Sequence, residues 1–143
     1  MRWIHDVSTD ADDPPPFVAL LDRRLKSKNG VYYSGLRGAA HRQRYPDIVP
    51  AVFAQPSVKL FQTALAASKA MGWAIAAADE SLGRIEATAT TRLMRFKDDV
   101  VIRIRSNNGG TRMDIRSASR VGSSDFGTNA QRIRIFLDTL NNI

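Results

Sequence analysis

Seven residues between positions 116 and 124, Arg116, Ser117, Ser119, Arg120, Gly122, Ser123 and Ser124, form the densest chemical cluster of the chain. Guanidinium donors, hydroxyls and a glycine meet where an expected strand hands over to a helix. A helix start offers free N–H groups and the positive end of a dipole to an anion. Arg116 and Arg120 would add charge-assisted bonds. The competing use is structural: Ser124 or Asp125 as N-cap would satisfy one of those donors, for about 1 kcal/mol. Asp125 would also repel an incoming phosphate.

A second set is acidic. Glu86, Asp98 and Asp99 could act as acid or base with Arg103 or Arg116 as an electrophilic clamp, in a hydrolase or isomerase. Glu86, Arg103, Asp114 and Arg116 also place opposite charges on adjacent strands, which suits a solvated sheet face with weak cross-strand pairs. As a substrate wall that face needs cover, for which an acidic N-terminal arm is available.

Other chemistries fall away. The chain has no cysteine, which removes thiol catalysis, disulfides and Cys-based zinc sites. His5 and His41 stand far apart, without the i, i+4 spacing of a zinc helix. Asp6, Ser8, Asp10 and Asp12 recur at every second position, but Ala11 and Phe17 occupy the places where a calcium loop has Gly and Glu. Gly122-Ser123-Ser124-Asp125 lacks the second glycine of a nucleophile elbow. No metal or cofactor is expected.

The elements that must position these residues follow from periodicity. Pro14, Pro15 and Pro16 hold residues 1–16 as an extended acidic arm. Phe17 to Leu25 suits a helical turn or a strand, and 23–45 reads as a surface loop. The Tyr45-Pro46 and Val49-Pro50 steps give an extended lead into a helix over 56–71. Val58, Phe61, Leu65 and Ser68 mark its buried stripe, with Ala64, Ala67 and Ala70 as a smooth side. Strands are predicted at 73–78, 84–91, 100–105 and 111–119, with Asn107-Asn108-Gly109-Gly110 as a hairpin turn. A last helix runs from Ser124 or Asp125 to about Leu140, burying Ile133, Phe136, Leu137 and Leu140, with Gln131, Arg132 and Asp138 outward. The prediction is one α+β domain over 1–143: a two-layer sandwich in which a four-stranded antiparallel meander carries two helices on one face, with residues 46–143 as its compact core. Trp73 belongs to that core.

The net charge of +7 has a local source. Residues 1–22 set Arg2 against five aspartates, whereas 23–45 hold seven Lys and Arg with no acid. With Tyr32, Tyr33 and Tyr45 interleaved, that loop is either solvated or docks on an anionic membrane surface. It has no recognised nucleic-acid fold, so nucleic acid is not an expected partner. No apolar run has the length of a membrane helix, and the N-terminus has no signal-peptide core. The chain as written reads as soluble.

Several segments form a familiar series: Ile4 to Asp10, Asp13-Pro14-Pro15-Pro16-Phe17, Tyr45-Pro46-Asp47-Ile48, Arg84 to Ala89, Phe96 to Arg103, Asp114 to Gly122, Asp125-Phe126-Gly127 and Asn129-Ala130. Together they resemble the bacterial domain of unknown function 1499 family over nearly the whole chain, least in the basic loop. The resemblance implies a compact domain, often attached to N-terminal membrane helices or a lipoprotein signal and facing the cell envelope, and it implies no reaction. Among the residues it would share are Glu86, Asp98, Asp99, Arg103, Asp114, Arg116, Ser117, Ser119, Arg120, Asp125 and Asn129, which suit fold-specifying networks as well as ligands.

The functional expectation is a non-catalytic binding or accessory module that takes an anion on the Arg/Ser-rich turn, with a protein partner or an anionic membrane as its setting. It would sit at the envelope if an anchor precedes it, and otherwise in the cytoplasm. The alternatives are the Glu86/Asp98/Asp99 enzyme and membrane docking through 23–45.

Overall fold

In the computed structural model residues 3–143 are described, so Met1 and Arg2 of the expected arm lie outside the described residues. Strict alternation builds the sheet. Ile85, Ala87 and Ala89 of β4 (Arg84–Thr90), Val100, Ile102 and Ile104 of β5 (Lys97–Asn107), and Met113 and Ile115 of β6 (Gly110–Ser119) are all buried in one core. Period-2 spacing forces these side chains onto one face, where burial is worth about 1.5–3 kcal/mol for each large aliphatic one. Asn108 and Gly109, both at positive φ, close the β5–β6 turn as the sequence predicts. β3 (Ala74–Asp79) completes the consecutive antiparallel run and forms an exposed edge.

Among the described residues the sheet has six strands rather than four. β1 (Asp6–Ser8) pairs with Arg116–Ala118 and β2 (Ala51–Phe53) with Thr111–Met113, so two three-residue strands share the outer edge of β6. The expected arm is therefore partly a strand. Among the described residues four helices accompany the sheet: α1 (Leu21–Leu25), α2 (Gly38–Arg44), α3 (Ser57–Ala70) and α4 (Thr128–Asn141). The expected surface loop at 23–45 contains α2 and the end of α1.

On the apolar face α3 buries Leu60, Phe61, Ala64, Ala67 and Ser68, the alanines allowing close approach. Val58 is exposed, so the buried stripe is rotated from the expected one toward Leu60 and Ala64. α4 buries Ile133, Phe136 and Leu140, and Trp73 stacks on Phe136 with centroids 5.2 Å apart. The opposite face is covered by the chain between β1 and α2, where Phe17 and Leu20 pack on Val101 and Ala118.

Candidate functional site

The polar sheet face is not solvated, which corrects the sequence reading. Glu86 and Asp114 are fully buried and Arg103 nearly so, because the N-terminal segment lies across them. Glu86 accepts hydrogen bonds from the backbone N–H groups of Val18, Ala19 and Leu20 at 2.8–3.2 Å and from Arg84 Nε at 3.1 Å. Asp114 accepts from Thr9 Oγ1 at 2.8 Å and Arg112 Nε at 2.8 Å. Arg103 reaches Asp10 at 3.2 Å and the Asp13 carbonyl at 3.0 Å. Buried charges of this kind persist only when paired and hydrogen-bonded. Asp6 and Asp10, two of the alternating N-terminal acids, serve as partners here, Asp10 also joining Arg112 at 2.8 Å.

Arg116 lies at the centre of this layer, 2% exposed. Its Nε and Nη2 donate to the two oxygens of Asp6 at 3.0 and 2.9 Å, and Nη1 donates to the Pro15 carbonyl at 3.0 Å. The guanidinium lies 4.6 Å from the Phe17 ring centre. Beside it, Asp99 accepts from Arg120 at 2.8 and 2.9 Å and from Thr88 at 2.9 Å, and pairs with buried Arg24 at 3.4 Å. Burial lowers the Arg24 pKa while Asp99 pulls it back, and the Asp99 bond raises that of Arg120.

The expected Arg/Ser cluster is thus divided between two faces. Arg116 and Arg120 serve the carboxylates under the N-terminal cover. Ser117 and Ser119 point the other way, to Asn129 of α4: Ser117 Oγ donates to Asn129 Oδ1 at 2.7 Å, and Asn129 Nδ2 donates to Ser119 Oγ at 2.9 Å. In the turn, Gly122 takes φ +95°, its carbonyl accepts from Asn29, Ser123 is exposed, and Ser124 Oγ accepts from the Phe126 N–H at 3.3 Å. The α4 N-cap is Gly127, later than predicted, and the Asp125 carboxylate accepts from the N–H groups of Gly127 at 2.8 Å and Asn129 at 3.3 Å. The helix start is therefore already occupied by a carboxylate of its own chain.

The same end of the sheet presents a different site. An open cavity of about 600 Å³ lies between the α3–β3 turn, the end of β4 and the first turns of α4; Trp73, Ala89, Phe126, Arg132 and Ile135 are among its lining residues. A second cavity of about 390 Å³ shares Thr91, Phe126 and Thr128 with it and reaches Asp98 and Ser119. Arg132, expected outward, is 9% exposed; it lines the larger cavity and pairs with Asp98, which lines the smaller. Its Nη1 lies 2.8 Å from Asp98 Oδ2 and donates to Asn129 Oδ1 at 3.0 Å and Ser117 Oγ at 3.2 Å. Among the described residues its Nε and Nη2 make no hydrogen bond, and Arg132 lines the larger cavity.

Phe126, beside this opening, is 90% exposed and sits at φ +53°, a left-handed conformation that costs a non-glycine residue about 1–2 kcal/mol. Neither Arg132 nor Phe126 stands out by residue type. One signal was available: Asp98 falls in the inward series with Val100, Ile102 and Ile104, and a carboxylate on an apolar face requires a cation opposite.

Comparison with curated proteins gives no match. The family model described as a protein of unknown function, DUF1499, matches residues 6–140, from the first strand to the last turn of α4. That span takes in both the buried polar layer and the cavity at the sheet end, and the chain belongs to the DUF1499 family.

Proposed function

We propose that this domain is a non-catalytic binding module for an amphipathic anion, with the acidic head on Arg132 and the apolar part along Trp73, Ala89 and Ile135. The observation that carries the reading is the half-used Arg132 guanidinium, nine-tenths buried and lining a largely apolar cavity of about 600 Å³. Such a volume lies within the range of small-ligand pockets, where a few placed polar groups fix orientation. A guanidinium in a partly desolvated setting binds a carboxylate or phosphate more strongly than one in water. This retains the anion of the sequence reading and moves it from the Arg116/Arg120 turn to Arg132.

Two facts weigh against the hydrolase or isomerase alternative. Asp98 faces α4, whereas Glu86, Asp99, Arg103 and Arg116 face the N-terminal cover, so the required groups do not converge. Glu86 and Asp99 each already have several donors, and Asp98 is paired with Arg132. The test is calorimetric titration with octyl phosphate below its micelle concentration, with inorganic phosphate and octanol as controls. Octyl phosphate is expected to bind at least tenfold tighter than either control, and Ile135→Glu is expected to abolish the difference. Equal affinities, or no binding of octyl phosphate, would overturn the reading.

A further inference from the structure

The loop between β4 and β5 and the first residue of β5 read Arg92-Leu93-Met94-Arg95-Phe96-Lys97, and all six residues are exposed, Leu93 at 90%. Phe126, equally exposed, projects from the neighbouring β6–α4 turn, with Val121 beside it. Folded proteins rarely present so many large apolar side chains together without a partner. The loop's shape is fixed: Thr91 N–H donates to the Phe96 carbonyl at 2.9 Å, Phe96 N–H donates to Thr91 Oγ1 at 2.8 Å, and Arg95 takes φ +58°. A defined turn therefore holds Leu93 and Met94 outward.

Charge supplies the second half of the argument. Among the described residues, none of Arg92, Arg95 and Lys97 has a carboxylate within ion-pair distance. The 26–30 segment is tied to the same end, Asn29 N–H donating to the Arg120 carbonyl at 3.0 Å and its side chain to the Gly122 carbonyl, which brings exposed Lys28 alongside, without an ion pair among the described residues. The acids at this end are engaged elsewhere: Asp98 by Arg132, Asp99 by Arg120, and Asp125 by the start of α4.

We infer that this end of the domain docks on an anionic membrane surface, with Leu93, Met94 and Phe126 entering the acyl boundary and Arg92, Arg95, Lys97 and Lys28 meeting the phosphates. Apolar tips flanked by cations are what an interfacial anchor requires, since burial of the tips and attraction of the flanks act on the same layer. A second copy of the chain is disfavoured, because pairing these faces would oppose the same four cations. The inference shares Arg92 and Phe126 with the larger cavity, but Ile135 lies outside the loop and Leu93 outside that cavity, so variants at these two positions separate the two readings.

Co-sedimentation with phosphatidylcholine vesicles, with and without phosphatidylglycerol, tests it. The wild-type chain is expected to bind the anionic vesicles at least tenfold more tightly and to lose affinity with added salt. Removing Arg92, Arg95 or Lys97 is expected to weaken binding roughly fivefold per cation, and Leu93→Ser with Phe126→Ser to weaken it further. Ile135→Glu should leave it unchanged. The absence of cysteine allows a second readout: a polarity-sensitive dye on Phe126→Cys should shift to the blue with anionic vesicles, whereas one on Asn108→Cys, at the opposite end of the sheet, should not. No binding, equal binding to both vesicle types, unchanged binding by Leu93→Ser/Phe126→Ser, or equal dye shifts at both positions would overturn the inference, including in favour of a protein partner.

Discussion

Arg116→Met is the most demanding perturbation of the buried polar layer. The substitution keeps most of the side-chain volume and removes both bonds to Asp6, the bond to the Pro15 carbonyl and the contact with the Phe17 ring. Asp6 is 1% exposed, and beyond Arg116 its only remaining hydrogen-bond donor among the described residues is the N–H of Ser34 at 3.2 Å. Breaking a buried pair by deleting one partner costs about 3–5 kcal/mol, mostly the cost of the charge left behind. Against a total stability of about 5–15 kcal/mol, that is a large fraction. At about 3–4 °C per kcal/mol, the melting temperature should fall by about 10–20 °C. The double variant Asp6→Leu/Arg116→Met removes both charges and should recover part of the loss, leaving a coupling energy of about 2 kcal/mol or more. Urea denaturation of the four proteins reads both quantities, with unchanged m-values reporting an intact native state. If Arg116→Met unfolds within 1 kcal/mol of the wild type, or the coupling is near zero, Arg116 is not held as described and the case for a structural layer fails.

Asp98→Asn should cost about 3 kcal/mol by leaving Arg132 without its carboxylate, and should raise the affinity for octyl phosphate several-fold in the same calorimetric assay. Gly83→Ala should destabilise more than Gly72→Ala in urea melts: both glycines have positive φ, which costs about 1–2 kcal/mol for alanine, but only at Gly83 would the new Cβ meet a backbone atom, the Ile104 carbonyl oxygen. Burial raises the Tyr33 pKa, and its hydroxyl donates to the Leu36 carbonyl at 2.7 Å, so folding favours the neutral phenol. The stability it contributes is complete below the ordinary tyrosine value of about 10 and is lost as pH rises through the higher folded value. Thermal melts between about pH 9 and 11 should therefore show a fall that Tyr33→Phe makes shallower, with buried Tyr45, shifted in the same direction, accounting for what remains.

What was legible in the sequence was what local periodicity encodes. β4, β5 and β6 alternate over seven or more residues, Asn108-Gly109 demands positive φ, and α3 and α4 repeat apolar residues at helical spacing. β1 and β2 have three residues each and no period to read; their pairing with β6 is a tertiary choice. The charged face was misjudged for a related reason. Glu86, Asp114 and Arg116 look solvated until the segment that covers them is known, and the Asp6–Arg116 pair closes across 110 positions. The sheet-end site was half visible. Asp98 stands among inward-facing apolar residues and calls for a buried cation, but no local rule selects Arg132 from the arginines of the last helix. The exposure of Phe126 and Leu93 is set by the turn backbones rather than by residue type, and so lies beyond periodicity altogether.

The central functional claim is that the end of the sheet, not the buried polar layer, meets a ligand. Amide chemical-shift mapping during titration with octyl phosphate tests it most directly. The account predicts saturable shifts concentrated in Gly72–Trp73, Thr90–Arg92 and Gly127–Arg132, with the N-terminal cover over residues 9–37 unmoved. Shifts centred on Arg116, Glu86 and the cover, or none at all, would contradict it.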